Sequence, residues 1–168
     1  MIPIDILLKE IDKIYKMKQQ GLIIYDRVRQ EIRETSIEIW QRKWDSDQYG
    51  RWTFKLIPSI KKWLERKHGN VDYYLSQFLG GHGCFRKFLC RIGVELSPVC
   101  LFCGDADEDA EHIFFHCKRF TRLRNDLNCE LKLDISATNI VETMVESIGH
   151  WNHVSNTVFM MLKFIERF

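Results

Sequence analysis

Four residues between positions 100 and 117 have the types and the spacing of a metal site: Cys100, Cys103, His112 and Cys117. A Cys-x2-Cys pair presents two thiolates from a tight turn, and Gly104 directly after the pair permits that turn. His112 and Cys117 then come from a second element. Three sulfurs and one imidazole suit zinc in a closed tetrahedral site, which keeps no position for a reacting water. The pattern therefore predicts a structural zinc site.

The histidine ligand has an alternative in His116, which directly precedes Cys117. That adjacency makes joint coordination of one ion awkward, so the spacing favours His112. The His112-x3-His116 pair lacks the Glu that follows the first His in metalloprotease helices. The acidic run from Asp105 lacks the sixth-position Gly and the twelfth-position Glu of a calcium loop. We expect its acids to be solvated at the tip of the loop.

Other cysteines offer weaker chemistry. His82 and Cys84 stand together in a glycine-rich turn, which could form a second metal site or a Cys–His nucleophile. No third group orients such a pair, so the turn is better interpreted as a helix–helix connection with Cys84 packed inside. Cys90 and Cys129 are expected to be core cysteines. With no phosphate loop, polymerase Asp-Asp pair or Ser/His/Asp arrangement recognisable in the sequence, we predict no catalysis by this chain.

Net charge hides an uneven distribution. The 25 Lys and Arg nearly cancel the 23 Asp and Glu, giving a net charge of +2. Between Arg42 and Pro98, however, basic residues outnumber acidic ones by 11 to 5, whereas Cys100–Cys117 carries acids and no Lys or Arg. The candidate phosphate contacts flank that acidic loop: Arg42, Lys43, Arg51, Lys55, Lys61, Lys62, Arg66, Lys67, Arg86, Lys87, Lys118, Arg119, Arg122 and Arg124. Tryptophans among them could stack on bases or form an ordinary helical core.

These residues must be positioned mainly by helices, because apolar residues recur at helical spacing through most of the 168 residues. We predict an all-α fold of short to medium helices with one zinc-stapled loop. Three parts are expected: a basic helical domain over 1–98, the zinc cluster and a basic helix over 99–128, and a helical hairpin over 129–168. The predicted helices cover about 4–15, 24–44, 58–64 (opened by Pro58), 70–79 (with Asn70 as its cap), 85–92, 120–127, 140–148 and 151–165.

The chain has no run of about 18 uncharged apolar residues, so no membrane span is predicted. Charged residues follow the N-terminus too soon for a signal peptide. We therefore expect reduced cysteines in an intracellular protein.

Several longer motifs resemble the region after the polymerase thumb in Pol polyproteins of non-LTR retrotransposons, particularly those that insert into ribosomal DNA. The motifs and the cluster that ends at Cys117 occur in the same order as in the family, and together they cover nearly the whole chain. The motifs are Pro3-Ile-Asp-Ile-Leu-Leu8, Gly50-Arg-Trp52-Thr-Phe-Lys-Leu-Ile-Pro58, Ile60-Lys-Lys-Trp63, Arg66-Lys-His-Gly69, Tyr73-Tyr-Leu-Ser-Gln-Phe-Leu-Gly-Gly-His-Gly-Cys-Phe-Arg86, Leu89-Cys-Arg91, Ser97-Pro98-Val-Cys100 and His150-Trp-Asn-His-Val154.

The resemblance implies a C-terminal part of a reverse transcriptase polyprotein that also carries an endonuclease. Neither catalytic domain is in this chain. By position, the four ligand residues named above look like the family's zinc ligands. The region would bind template RNA or target DNA during target-primed reverse transcription, in the nucleus, alongside the rest of the polyprotein and without a small-molecule substrate. The alternative is a structural or protein-interaction module, or a truncated or domesticated copy without activity.

Overall fold

The computed structural model describes residues 2–166, and within them the predicted all-α architecture is confirmed. The helices are α1 (Ile4–Gln19), α2 (Asp26–Ser46), α3 (Arg51–Leu56), α4 (Ile60–Glu65), α5 (Tyr73–Gly80), α6 (Arg86–Arg91), α7 (Thr121–Leu131), α8 (Ile140–Glu146) and α9 (Ile148–Ile165). A π-helical turn (His112–His116) and a 3-10 turn (Lys118–Phe120) precede α7. None of the described helices is long and apolar enough to cross a membrane.

Packing divides the chain into two compact units. The first contains the residues up to Tyr49 and Pro58–Glu65, and therefore α1, α2 and α4. The second contains Gly50–Ile57 and the chain from Arg66 onward, and therefore α3 and α5 to α9. These units group elements by contact, whereas the three-part division predicted above follows chain order and stays a prediction.

The first unit is held together by the packing of α1 on α2. Ile6 of α1 and Ile32 of α2 are almost fully buried. Glu10 is buried on the same face of α1, and its carboxylate pairs with the guanidinium of Arg33 at 3.2 Å. A buried carboxylate requires such a partner, since desolvation of an unpaired charge is costly.

The second unit is built around α9, which packs against α5, α7 and α8. Its fully buried side chains include Val154, Val158, Met161 and Leu162. Full burial of an apolar side chain of this size contributes about 1.5–3 kcal/mol. The same core takes in Ile113 and Phe114 of the π-helical turn, so the hydrophobic interior fixes one element of the predicted metal site.

Two helix boundaries are set by capping residues that the sequence patterns did not identify. Asp72 caps α5 in place of Asn70, because its carboxylate accepts the backbone N–H of Leu75 at 2.8 Å. The helix predicted to reach Ile148 ends earlier, because Ser147 interrupts it with extended backbone and caps α9 through its side chain. Both side chains satisfy N–H groups that the first turn of a helix leaves without partners.

The apolar spacing does not predict α3, which directly follows the turn at Gly50. The indole N–H of Trp52 donates to the carbonyl of Phe78 at 2.7 Å, and the hydroxyl of Thr53 donates to the carbonyl of Leu79 at 2.9 Å. These carbonyls lie in the last turn of α5, where few backbone donors remain, and that of Phe78 also accepts the N–H of Gly81 at 3.3 Å. α3 therefore closes the C-terminal end of α5.

Candidate metal centre

The first two ligand residues lie on a short hairpin. The N–H of Cys100 donates to the carbonyl of Ala106 at 2.9 Å, and that of Glu108 donates to the carbonyl of Pro98 at 2.7 Å. The N–H of Gly104 returns to the carbonyl of Cys100 at 2.9 Å. Gly104 has φ of +70°, a conformation that favours glycine. The tight turn expected after the Cys-x2-Cys pair is present.

The other two ligand residues stand at the ends of the π-helical turn. The N–H of Cys117 donates to the carbonyl of His112 at 2.7 Å, five residues back. The carboxylate of Asp109 accepts the backbone N–H of His112 at 2.8 Å and so caps the start of the turn. One wide turn thus returns Cys117 to His112, which explains the four-residue gap between them.

The four predicted ligands converge. One donor atom from each of Cys100, Cys103, His112 and Cys117 lies within 4.8 Å of the others. The two sulfurs of Cys100 and Cys117 are 3.9 Å apart, and Sγ of Cys103 is 3.2 Å from Nε2 of His112. Tetrahedral zinc with bonds of about 2.0–2.3 Å separates its donors by about 3.5–3.8 Å. The cluster is close enough to hold a metal, and its donor set suits zinc.

The structure separates the two candidate histidines. His112 is buried within the cluster, whereas His116 is exposed with its ring beside that of Phe115. The π-helical turn is responsible, because it aligns the first residue of the turn, and not the fifth, with Cys117. His112 is therefore the imidazole that the structure brings to the three sulfurs.

Burial shifts the pKa values of Cys100, His112 and Cys117 toward their neutral forms. It raises the pKa of the Cys100 thiol to about 12 and also raises the pKa of Cys117. Burial lowers the pKa of His112, which favours the neutral imidazole that a metal requires. A bound dication reverses the effect on the thiols, since a coordinating thiol is deprotonated. The donor chemistry thus fits a site that forms its thiolates together with its metal.

The acids of the loop form ion pairs with nearby lysines. The expectation that they are solvated holds for Asp105 and Asp107, which are exposed, and is wrong for Glu108, which is buried. The ion pairs join Lys118 to Asp105 at 2.9 Å, Lys87 to Asp109 at 2.9 Å, and Lys55 to Glu111. Glu108 is 2% exposed and accepts the N–H of Arg86 at 3.3 Å. These contacts offset the excess negative charge around three cysteine ligands.

Several of the predicted phosphate contacts are therefore already engaged. Besides the loop pairs, Lys43 pairs with Asp5, and Arg86 pairs with Glu95 at 3.0 Å. Three arginines lie over aromatic rings: Arg51 over Phe54 at 3.7 Å, Arg66 over Trp151 at 5.4 Å and Arg119 over Phe164 at 4.7 Å. The exposed members of the set include Arg42, Lys61, Lys62, Lys67, Lys118, Arg119 and Arg122. The predicted set is divided between the two units.

Arg124 has a role that the sequence did not indicate. Its Nη2 donates to the carbonyl of Cys117 at 2.8 Å, and its Nη1 donates to the carbonyl of Phe114 at 3.4 Å. Burial lowers the pKa of the guanidinium. The residue braces the backbone at the end of the π-helical turn and holds a metal-ligand residue in place. Asp109 was also missed, although an Asp three residues before a predicted ligand is a recognisable capping pattern.

The remaining cysteines lie outside the cluster. Cys84 is half-buried, and burial raises its pKa to about 12. Cys129 is exposed, so its assignment to the core is wrong. It lies on α7, whose buried face is formed by Leu127 and Leu131.

The fold and the cluster together define a helical module with a Cys3His group close enough to hold a metal. Its homologues are Pol polyproteins of R1 non-LTR retrotransposons, as the sequence motifs predict. The chain is 33% identical over 110 residues to the "Retrovirus-related Pol polyprotein from type-1 retrotransposable element R1" of Bradysia coprophila, covering 62% of this chain and 11% of the relative.

Further relatives extend the match. Identity is 31% over 116 residues with the R1 2 Pol polyprotein of Nasonia vitripennis, covering 69% of this chain and 27% of that protein. The identity is 27% over 138 residues with the "Putative 115 kDa protein in type-1 retrotransposable element R1DM" of Drosophila melanogaster. This match covers 73% of this chain and 13% of that protein. The chain thus spans only a minor part of these curated relatives. No family model and no solved structure matches it.

Proposed function

We propose that this chain is a non-catalytic, zinc-stabilised module of an R1-type Pol polyprotein that binds nucleic acid. The observation that carries the proposal is the Cys3His cluster, whose donor atoms lie within 4.8 Å of one another in a chain homologous to R1 Pol polyproteins. The partners are template RNA or target DNA and the rest of the polyprotein, and the place of action is the nucleus. The module supports target-primed reverse transcription without performing chemistry itself.

Zinc is held by Cys100, Cys103, His112 and Cys117 and has a structural role. Four protein donors fill a tetrahedral shell, so no coordination position remains for substrate. The ion joins the hairpin that carries the first two ligands to the π-helical turn that carries the others. Metal binding of this kind contributes directly to folding.

Phosphate contact is assigned first to the basic residues that directly follow the centre. Lys118 and Arg122 are 83% and 95% exposed, respectively. Arg119 is also exposed and lies over the ring of Phe164. A cluster of cations on one short segment attracts the phosphate backbone through Coulomb forces and counterion release. The zinc centre fixes the start of this segment through Cys117.

A second candidate function, docking on another protein, is favoured by one observation. The segment that runs from the end of α6 into the first ligand pair exposes several apolar side chains: Ile92, Val94, Leu96, Val99 and Leu101. Apolar residues grouped on a surface often mark protein interfaces. In this alternative the zinc centre stiffens a docking surface for the remainder of the polyprotein.

A titration with labelled single-stranded RNA and duplex DNA across a range of salt concentrations separates the two functions. The proposal expects binding that weakens steeply with salt and is reduced by the double variant Arg119→Glu, Arg122→Glu. Arg29→Glu on exposed α2 provides a control with the same change of charge per substitution. An affinity that changes neither with salt concentration nor in the double variant would contradict nucleic-acid recognition by this segment.

A further inference from the structure

A second basic feature of the molecule lies away from the Lys118–Arg122 segment. A cleft of about 440 Å³ opens in the second unit between the start of α3, the glycine turn after α5, and α6. We call it the α3–α6 cleft. Its lining residues include Arg51, His82, Lys87 and Arg91. Its volume falls within the range of about 300–1,000 Å³ that small-molecule sites occupy.

The charge of the α3–α6 cleft is predominantly positive. Arg51, Lys87 and Arg91 contribute three cations, and Asp109 is the acid among the residues that line it. The carboxylate of Asp109 is engaged on both oxygens, by Lys87 at 2.9 Å and by the backbone N–H of His112 at 2.8 Å. Lys87 also pairs with Asp107 at 3.5 Å, so the positive charge that the cleft offers to a ligand comes from Arg51 and Arg91.

The wall of the cleft is aromatic and ordered. Trp52 contributes to the lining, and its indole N–H is anchored on the carbonyl of Phe78. The ring centroids of Phe88 and His82 are 4.8 Å apart, and the guanidinium carbon of Arg91 lies 5.1 Å from the centroid of the Phe88 ring. Stacking of a guanidinium on a ring restricts its motion, so Arg91 is partly preorganised.

A glycine keeps the cleft open at the turn after α5. Gly81 has φ of +65°, and a Cβ there would lie 2.9 Å from Cδ1 of Trp52. The N–H of His82 bonds the carbonyl of Gln77, and that of Gly81 bonds the carbonyl of Phe78, each at 3.3 Å. These bonds form a Schellman ending, which explains the glycine at position 81.

We infer that the α3–α6 cleft binds one phosphate-bearing nucleotide of a single strand. Arg51 and Arg91 receive the phosphate, and the base lies along the wall formed by Trp52, His82 and Phe88. Cations beside aromatic surfaces are the combination that single-strand sites use, because every base has a face that can stack. A duplex keeps its bases paired inside the helix and cannot offer one to a concave site of this size. The inference deepens the proposed nucleic-acid function and rests on it.

The cleft is also linked to the metal centre. Asp109 contacts Lys87 on the cleft side and caps the π-helical turn on the metal side. The zinc-stapled loop thereby positions one wall of the nucleotide site. This connection gives the structural metal a role in recognition without direct contact between ion and ligand.

The test uses the full chain purified with zinc and a fluorescein-labelled 12-nucleotide RNA of mixed sequence, followed by fluorescence anisotropy. The double variant Arg51→Glu, Arg91→Glu is expected to weaken binding by at least about tenfold and to lower the salt slope by about two. Arg29→Glu, outside the cleft, is expected to leave both unchanged. The double variant is expected to reduce the affinity for a duplex of the same sequence by a smaller factor than the affinity for the single strand.

The outcomes distinguish the cleft from the broader function. Binding that survives the cleft variant but falls in Arg119→Glu, Arg122→Glu overturns the cleft site and leaves the proposed function standing. Absence of salt-dependent binding by the unsubstituted chain overturns both. Equal losses for single strand and duplex overturn the single-strand assignment.

A second measurement avoids any dependence on the folding of a variant. RNA containing 4-thiouridine is cross-linked to the unsubstituted protein, and the modified peptides are mapped by mass spectrometry. Cross-links at Trp52, His82 or Phe88 are expected. Cross-links confined to the segment from Lys118 to Arg122 would exclude the cleft as the place where the base lies.

Discussion

The carboxylate of Asp109 accepts the backbone N–H of His112 at 2.8 Å, three residues further along the chain. The bond satisfies one of the donors left open at the start of the π-helical turn. Because the other oxygen of Asp109 holds Lys87, a single side chain joins the metal-ligand turn to α6. The position of His112 therefore depends on contacts well outside the ligand set.

The two histidines provide a direct test of the metal centre. His112→Ala removes a buried donor from the cluster, so we expect loss of zinc and a melting temperature lower by at least about 5 °C. His116→Ala changes an exposed residue outside the cluster and should retain the metal. Metal analysis after native purification and thermal melting with and without chelator measure both effects. Full zinc occupancy in the His112 variant would contradict the assignment.

Arg124 and Arg122 form a matched pair on α7. Arg124→Ala leaves the carbonyls of Cys117 and Phe114 without their charged donor, at an expected cost of about 1.5–3 kcal/mol. Arg122 is 95% exposed, and its nearest acid, Asp126, lies 3.9 Å away. Its replacement by Ala should cost less than about 0.5 kcal/mol. Urea unfolding of the zinc-loaded variants makes the comparison, and equal stabilities would show that Arg124 does not brace the turn.

Alanine substitutions at Gly69 and Gly93 would distinguish the stability cost of a steric clash from that of backbone strain alone. Both glycines have positive φ, of +81° and +78°. A Cβ at Gly69 would lie 2.2 Å from Cδ2 of Trp151, whereas nothing lies within 4 Å at Gly93. We expect Gly93→Ala to cost about 1 kcal/mol from strain alone, and Gly69→Ala to cost at least about 3 kcal/mol because the buried indole must move. Denaturant melts give both values, and a smaller loss at Gly69 than at Gly93 would refute the packing argument.

Cys84 and Cys129 should differ in reactivity. Burial raises the pKa of Cys84 to about 12, so at pH 8 its reactive thiolate is almost absent. Cys129 is exposed. Brief treatment with iodoacetamide at pH 8, followed by peptide mapping, should modify Cys129 and leave Cys84 unlabelled. Rapid labelling of Cys84 would instead revive the Cys–His nucleophile that the glycine turn suggests.

The ligand set could be predicted from the sequence because it is local: a turn places Cys100 with Cys103, and one more element supplies the rest. The spacing already favours His112 over His116, but the π-helical turn that brings His112 to the sulfurs is not indicated by any apolar spacing. Ion pairs such as Lys55 with Glu111, 56 residues apart, arise only when the chain folds. α3 has six residues, which are too few to show a helical period. Its role depends on contacts with the end of α5, where Trp52 and Thr53 donate to backbone carbonyls.

The placement of α3 has a practical consequence for expressing parts of this protein. The unit that contains the Cys3His cluster is discontinuous in the chain, since Gly50–Ile57 belongs to it while Pro58–Glu65 does not. A fragment beginning at Arg66 would keep every zinc ligand but lose Trp52 and Thr53, which cover the last carbonyls of α5. Because α4 lies between the two parts of this unit along the chain, the shortest fragment that keeps the whole unit starts at Gly50 and also includes α4.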